Sequence, residues 1–236
     1  MNSKFLISVV LLALSFNVSM AQFITKIDDD RSNHIIVGND TSHVDWTTQY
    51  IEAKGWSIMD TARFKIPGQA LAMARIGAIT DAQRNLLERI EGVRIVGETV
   101  VKDMVTEKDY ILKKLDGVIK GAELIGSETV NGFVVEVRMR VPIYQNKNGF
   151  ASIVQEAMEV ENTDFHNDIN MNKASNEQIV FDMNGQTFDP ALFPKVVDEN
   201  NNVLLDYSKT YNPETGKFPK FLNIAKTWQR KLAKEK

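Results

Sequence analysis

Hydrophobic and polar positions change period several times along this chain, and each change marks an element. From Trp46 to Met59 (WTTQYIEAKGWSIM), β-forming residues in partial alternation predict a strand, with Gly55 as a bulge or bend. The period then lengthens. Leu71, Ala74, Ala78, Ala82, Leu86 and Ile90 recur at three- and four-residue spacing and so share one face of a long helix. Pro67 suits its first turn, where a missing N–H leaves nothing unpaired. Gly92 suits its end, because glycine takes the left-handed conformation cheaply. Three of the six stripe residues are alanine, which lets a helix axis approach a sheet closely.

Val93 to Val101 then predicts a strand with Gly97 inside it, Lys108 to Leu115 a short helix ending near Gly117, and Val118 to Val130 a further strand segment. Asn131-Gly132 is a strong hairpin signal, since both residues accept positive φ. The return strand, Phe133 to Val141, points Phe133, Val135, Val137, Met139 and Val141 one way and Glu136, Arg138 and Arg140 the other. This order predicts an α+β domain over 46–145: a small mixed or antiparallel sheet with one long and one short helix packed on it.

Outside that domain the patterning weakens. Residues 22–45 read as a polar N-terminal extension and 146–178 as a polar linker, with a short helix around Ile153 to Met158. Residues 179–236 read as a smaller β-rich module. Its strands fall at Ile179 to Phe181, Val196 to Val197 and Val203 to Leu205, with a turn at Asn200 to Asn202 and a terminal helix at Phe221 to Lys234.

The first residues add a compartment. Lys4 precedes an apolar run, Phe5 to Phe16, and Ser19-Met20-Ala21 supplies the small residues of a cleavage site. The run is too short to cross about 30 Å of hydrocarbon, so residues 1–21 are expected to be a signal peptide cleaved after Ala21, giving a periplasmic or secreted protein. No cysteine occurs in the chain, so a lipid anchor, disulfides and thiolate metal sites are all excluded. Once Lys4 leaves with the leader, 27 basic side chains face 31 acidic ones, a balance that does not suggest nucleic acid.

Candidate chemistry is sparse. His34, His43 and His166 form no metal-ligand spacing and read as solvated loop residues. Asp28-Asp29-Asp30 and Asp198-Glu199 lack the alternating oxygen ligands and central glycine of a calcium loop. No nucleophile elbow, phosphate loop or dinucleotide fingerprint is present. No catalytic residue, cofactor or metal site is therefore assigned.

What remains is surface. Arg75, Asp81, Arg84 and Glu88 form a charged side of the long helix, either a partner-facing patch or a salt-bridged solvated surface. Glu136, Arg138 and Arg140 form an exposed strand face. Trp46, Trp56 and Trp228 are either a binding platform or core and edge packing. The C-terminal helix is basic and amphipathic, with Lys220, Lys226, Trp228, Arg230 and Lys231 prominent. It fits contact with an anionic membrane surface or polymer, and equally a terminal helix docked on its own module.

A resemblance then narrows the class. Val44-Asp45-Trp46, Ile51-Glu52-Ala53, Gly55, Ala74-Arg75 and the run Asp81-Ala82-Gln83-Arg84-Asn85-Leu86-Leu87-Glu88 are similar to the bacterial twenty-kilodalton surface-lipoprotein (LPP-type) family, related to flagellar accessory envelope proteins. The match continues through Ile90, Gly92-Val93, Glu98-Thr99-Val100, Gly121-Ala122, Val135-Glu136-Val137 and Val141-Pro142. Phe181-Asp182, Pro190 to Glu199 and Asn202-Val203 resemble a segment that often follows this domain. The lipid-anchoring cysteine of the type members is absent here. The resemblance implies a non-enzymatic envelope protein, a structural or assembly module that self-associates or docks on an outer-membrane or flagellar-type complex. The other expectation is a periplasmic module binding peptidoglycan or lipopolysaccharide through the basic C-terminal helix. Peripheral contact with the outer membrane or cell wall is compatible with both.

Overall fold

A computed structural model describes residues 34–146, 148–158, 189–197 and 199–218. The leader, Asp28 to Asp30, His166, the strand expected at Ile179 to Phe181, Asp198 and the C-terminal helix with Lys220, Lys226, Trp228, Arg230 and Lys231 lie outside the described residues.

The chain forms β1 (Ile36–Gly38), β2 (Ser42–Asp45), β3 (Tyr50–Ile58) and α1 (Pro67–Glu91), then β4 (Arg94–Val96), β5 (Thr99–Val100), α2 (Val101–Glu107) and α3 (Asp109–Lys120). It continues with β6 (Glu123–Leu124), β7 (Thr129–Asn131), β8 (Val134–Pro142), α4 (Phe150–Ala157), β9 (Lys195–Val197), β10 (Val203–Asp206) and α5 (Tyr207–Thr210). The architecture is α+β. The main sheet runs β1-β2-β3-β8-β6, with β7 also paired to β8, and all of these pairings are antiparallel.

The helix stripe does what its alanines predict. Ala70, Ala74, Ala78, Ala82, Leu86 and Ile90 are buried, while Leu71 lies partly out. Gly55 is neither bulge nor bend, because β3 and β8 keep an unbroken register from Tyr50↔Pro142 to Ile58↔Val134. Glycine is required there by proximity: a Cβ on it would lie 2.1 Å from Ala82 N and 2.2 Å from Ala78 O. The helix backbone rests directly on the strand. α1 ends at Gly92 as expected, but with φ −84, so the exit is right-handed.

Several boundaries differ from the sequence reading. Val93–Val101 is no single strand: Gly97, at φ +56, folds it into the β4–β5 hairpin, and Val101 opens α2, where Asp103 accepts from the Val100 N–H. α3 runs through Gly117 to Lys120. An exposed helix glycine costs about 1 kcal/mol, whereas Ile111, Leu115 and Ile119 are buried on one stripe and contribute roughly 1.5–3 kcal/mol each. The stripe wins, and the strand expected from Val118 shrinks to β6 and β7. The hairpin loop is shifted by one residue. Asn131 pairs with Val134, leaving Gly132 (φ +60) and Phe133 as the central pair, which is the residue preference of a type II′ turn. Phe133 therefore leaves the inward row and is 61% exposed.

The polar extension over 22–45 contains β1 and β2. Their hydrogen-bonding edge is completed by β3, and Val44 joins the core while Asp45 is fully buried. Beyond 145, Phe150, Ile153 and Val154 of α4, together with Leu192, Phe193 and Tyr211, enter the same buried cluster as α1, β3 and β8. The linker and the smaller module thus contribute to one core among the described residues.

The β9–β10 hairpin turns at Asn200–Asn202, with Asn201 at φ +64. Its last residue, Asp206, pairs with Lys195 at 3.1 Å and caps the turn to Ser208. Burial opposes the Asp206 charge, but the Ser208 and Lys195 bonds outweigh it and hold the pKa below the usual carboxylate value. A lowered folded pKa stabilises the fold above the unfolded value, about 4, and that contribution is lost as pH falls through the folded value. Asp206→Asn should shrink the loss of Tm between about pH 6 and about pH 3. Calorimetry showing the same loss in both proteins would exclude this account.

Candidate interaction surface

The face of the sheet turned away from α1 is built by register. Ile51, Ala53 and Gly55 of β3 and Val135, Val137, Met139 and Val141 of β8 face the helix, so the alternate residues face outward. Four rows cross the two strands. Glu52 lies opposite Arg140, Lys54 opposite Arg138, Trp56 opposite Glu136 and Ile58 opposite Val134.

The rows differ chemically. Arg140 is engaged: its Nε donates to Glu123 Oε2 at 3.1 Å and its guanidinium lies 4.2 Å from the Tyr50 ring centroid. His43, buried on β2, approaches Glu52 with Nε2 3.5 Å from Oε2. In the next row two cations, Lys54 and Arg138, stand directly opposite each other, and among the described residues neither has a carboxylate partner. Like charges in directly opposed positions are unfavourable. The last two rows expose Trp56 (59%) and Ile58 (59%), with Val134 and Phe133 beside them. Exposed apolar side chains that are contiguous, rather than scattered singly, mark interaction surfaces.

The residues picked out on α1 do not join this face; they lie on the opposite side of the sheet. Arg75 reaches Glu128 at 3.7 Å, and Arg84 lies 4.0 Å from Glu88. Exposed pairs of this kind contribute about 0.3–0.5 kcal/mol. Asp81 has a structural duty. Beyond Ala53, β3 has lost β2 as a neighbour, and α1 side chains take over its free edge. Asp81 Oδ2 accepts from the Trp56 N–H at 3.1 Å, and Asn85 Nδ2 donates to the Lys54 carbonyl at 2.8 Å. Residues four apart on a helix meet residues two apart on a strand. Asp81→Ala should cost about 0.5–1.5 kcal/mol, the net worth of one hydrogen bond at an exposed strand edge. It should also raise amide exchange at Trp56 above that at Ile51; equal protection in the variant would show that the edge bond contributes nothing.

The histidine expectation needs correction. His43 is not a solvated loop residue, because it is buried on β2, and His34, in the irregular segment before β1, is only partly exposed, its Nδ1 meeting the buried Asp45 Oδ2 at 2.8 Å. Asp45 Oδ1 also accepts from the Thr47 and Thr48 N–H groups and shapes the β2–β3 turn. The two described tryptophans, Trp46 and Trp56, do not form a platform together. Trp46 packs against the core with its indole Nε1 buried and unpaired, whereas Trp56 is on the open face.

A cleft of about 520 Å³ lies between α3 and the end of β8, lined by Lys113, Gly117, Gly121, Glu123, Asn146 and Asn148 among others. Its lining contains no hydroxyl nucleophile and no histidine. The perturbed phenols lie elsewhere. Burial raises the pKa of Tyr144, Tyr207 and Tyr211, which keeps them neutral donors. The Tyr144 hydroxyl donates to the Leu192 carbonyl and the Tyr211 hydroxyl to the Gln145 carbonyl. Among the described residues no group of three metal-ligating side chains occurs, and no helix is long and apolar enough to cross a membrane.

Lys54, Trp56, Ile58 and Val134 did not stand out together in the sequence. The alternation from Tyr50 to Ile58 carries the signal, but only the pairing with β8 shows that these side chains share a face. Comparison of the chain with protein-family models, with curated proteins and with solved structures found no match.

Proposed function

We infer that this chain is an exported, non-enzymatic envelope protein, a structural or assembly module that self-associates or docks on an outer-membrane or flagellar-type complex. The observation that carries the reading is the outward face of β3 and β8, where an unneutralised Lys54–Arg138 pair adjoins exposed Trp56, Ile58 and Val134. A face of that composition is unsatisfied in the isolated chain on both electrostatic and hydrophobic grounds. The leader at residues 1–21 and the resemblance of the Asp81 to Glu88 run support the compartment and the class.

In-cell photo-crosslinking from position 138 tests it. Adducts with a second copy or with envelope proteins are expected from Arg138, and far fewer from Leu112 on α3. A chain that yields no adduct from the sheet face while both sites yield equal background would sink the proposal.

A further inference from the structure

One end of the outward sheet face is graded in a way that a general docking surface does not require. Starting from the β7–β8 turn, the order is Phe133, then the Ile58–Val134 row, then Trp56, then the Lys54–Arg138 pair. Successive outward rows are about 6.7 Å apart along a strand, so the cations stand roughly 13 Å behind the apolar row. Phe133 (61%), Ile58 (59%) and Trp56 (59%) are all exposed.

The β3–α1 loop is tied to the same tip, because the Met59 N–H donates to the Phe133 carbonyl at 2.8 Å. It adds Ile66, 65% exposed, the exposed Lys65, and Arg63, whose guanidinium lies 5.3 Å from the Phe64 ring centroid. The sheet rows of this end carry the cations Lys54 and Arg138 against the acid Glu136, and the loop carries Arg63 and Lys65 against Asp60. Asp60 is occupied in accepting from the Arg63 N–H.

We propose that this tip docks on an anionic lipid surface, with Phe133, Ile58 and Val134 at the acyl boundary, Trp56 among the headgroups and Lys54 and Arg138 at the phosphates. The depth order matches an interface. Apolar groups enter about 5–10 Å, aromatic rings with a polar edge favour the headgroup layer, and long cationic side chains reach back to phosphate. The assignment rests on the reading that this face docks, and names what its tip meets.

The full chain also holds an apolar leader and a basic C-terminal segment, so bulk vesicle binding decides nothing; a site-specific probe does. The chain has no cysteine, so Phe133→Cys can be labelled with an environment-sensitive dye in a unique position, and Leu112→Cys on α3 serves as reference. With phosphatidylglycerol vesicles the label at 133 should shift to the blue and lose access to an aqueous quencher, while the label at 112 should not. Lys54→Gln with Arg138→Gln should weaken that response roughly 30-fold in lipid concentration, from about one elementary interaction per cation. Three results would overturn the assignment: a label at 133 that stays aqueous while the chain floats with the vesicles, an equal shift on phosphatidylcholine, or a shift only with lipid-free envelope protein. Protein adducts from position 138 with an aqueous label at 133 would leave the docking reading standing and remove the lipid. A lipid-dependent shift without protein adducts would do the reverse.

Discussion

Gly55→Ala should lower the stability of the domain by about 3 kcal/mol or more, a loss of roughly 6–12 °C in Tm for a domain of this size. The added methyl would meet backbone atoms at 2.1 and 2.2 Å, Ala82 N and Ala78 O. Backbone cannot rotate away as a flexible side chain can, so α1 must lift from β3. Lifting it opens the contact that buries Ala74, Ala78, Ala82 and Leu86 against the sheet. A matched control separates this from a general glycine effect. Gly117 lies in α3 with nothing within 4 Å of a built Cβ, so Gly117→Ala should raise stability by about 0.5–1 kcal/mol through helix propensity. Thermal melts of the two variants should therefore move in opposite directions. A Gly55→Ala protein that melts with the wild type would refute the close approach.

Tyr211→Ala should cost about 3–5 kcal/mol, and the loss should reach the whole domain. Tyr211 is fully buried, and its ring packs 5.6 Å from Phe193 and 5.8 Å from Tyr144, centroid to centroid. Its hydroxyl donates to the Gln145 carbonyl at 2.7 Å and lies 3.1 Å from Ser152 Oγ, while its carbonyl accepts from Gln155 Nε2 at 2.9 Å. One side chain thus joins the end of β8, α4 and the C-terminal hairpin. Tyr211→Phe keeps the ring and removes only the hydroxyl bonds, so a smaller cost of about 1–3 kcal/mol is expected. Unfolding followed by signals from both Trp46 and the 192–211 segment should remain a single transition. Two separated transitions in the wild type would show a second, independent core.

The geometry also explains the Asp81 to Glu88 run. Ala82 is the contact with Gly55, Leu86 enters the core, and Asp81 and Asn85 close the edge of β3. Three separate demands of one helix–strand contact coincide in six residues, so the run is structural, and the face proposed to dock lies on the other side of the sheet.

Local periodicity alone determined the long helix, its alanine face, the inward row of β8 and the α+β class, because each depends on spacing within one segment. It also isolated Glu136, Arg138 and Arg140 as an outward face. It missed β1 and β2, short strands held in place by the pairing of β1 with β2 and of β2 with β3 rather than by a periodicity of their own. It misplaced the ends of α3, where a buried stripe overrides a glycine. It took Gly55 for a bend, since a local rule cannot register a helix lying 25 residues away in sequence. Only the tertiary structure decided which strands share a register, and that pairing put Lys54 against Arg138 and Ile58 against Val134. Which side chains share a surface is a property of non-local pairing, and a period of two along each strand leaves it open.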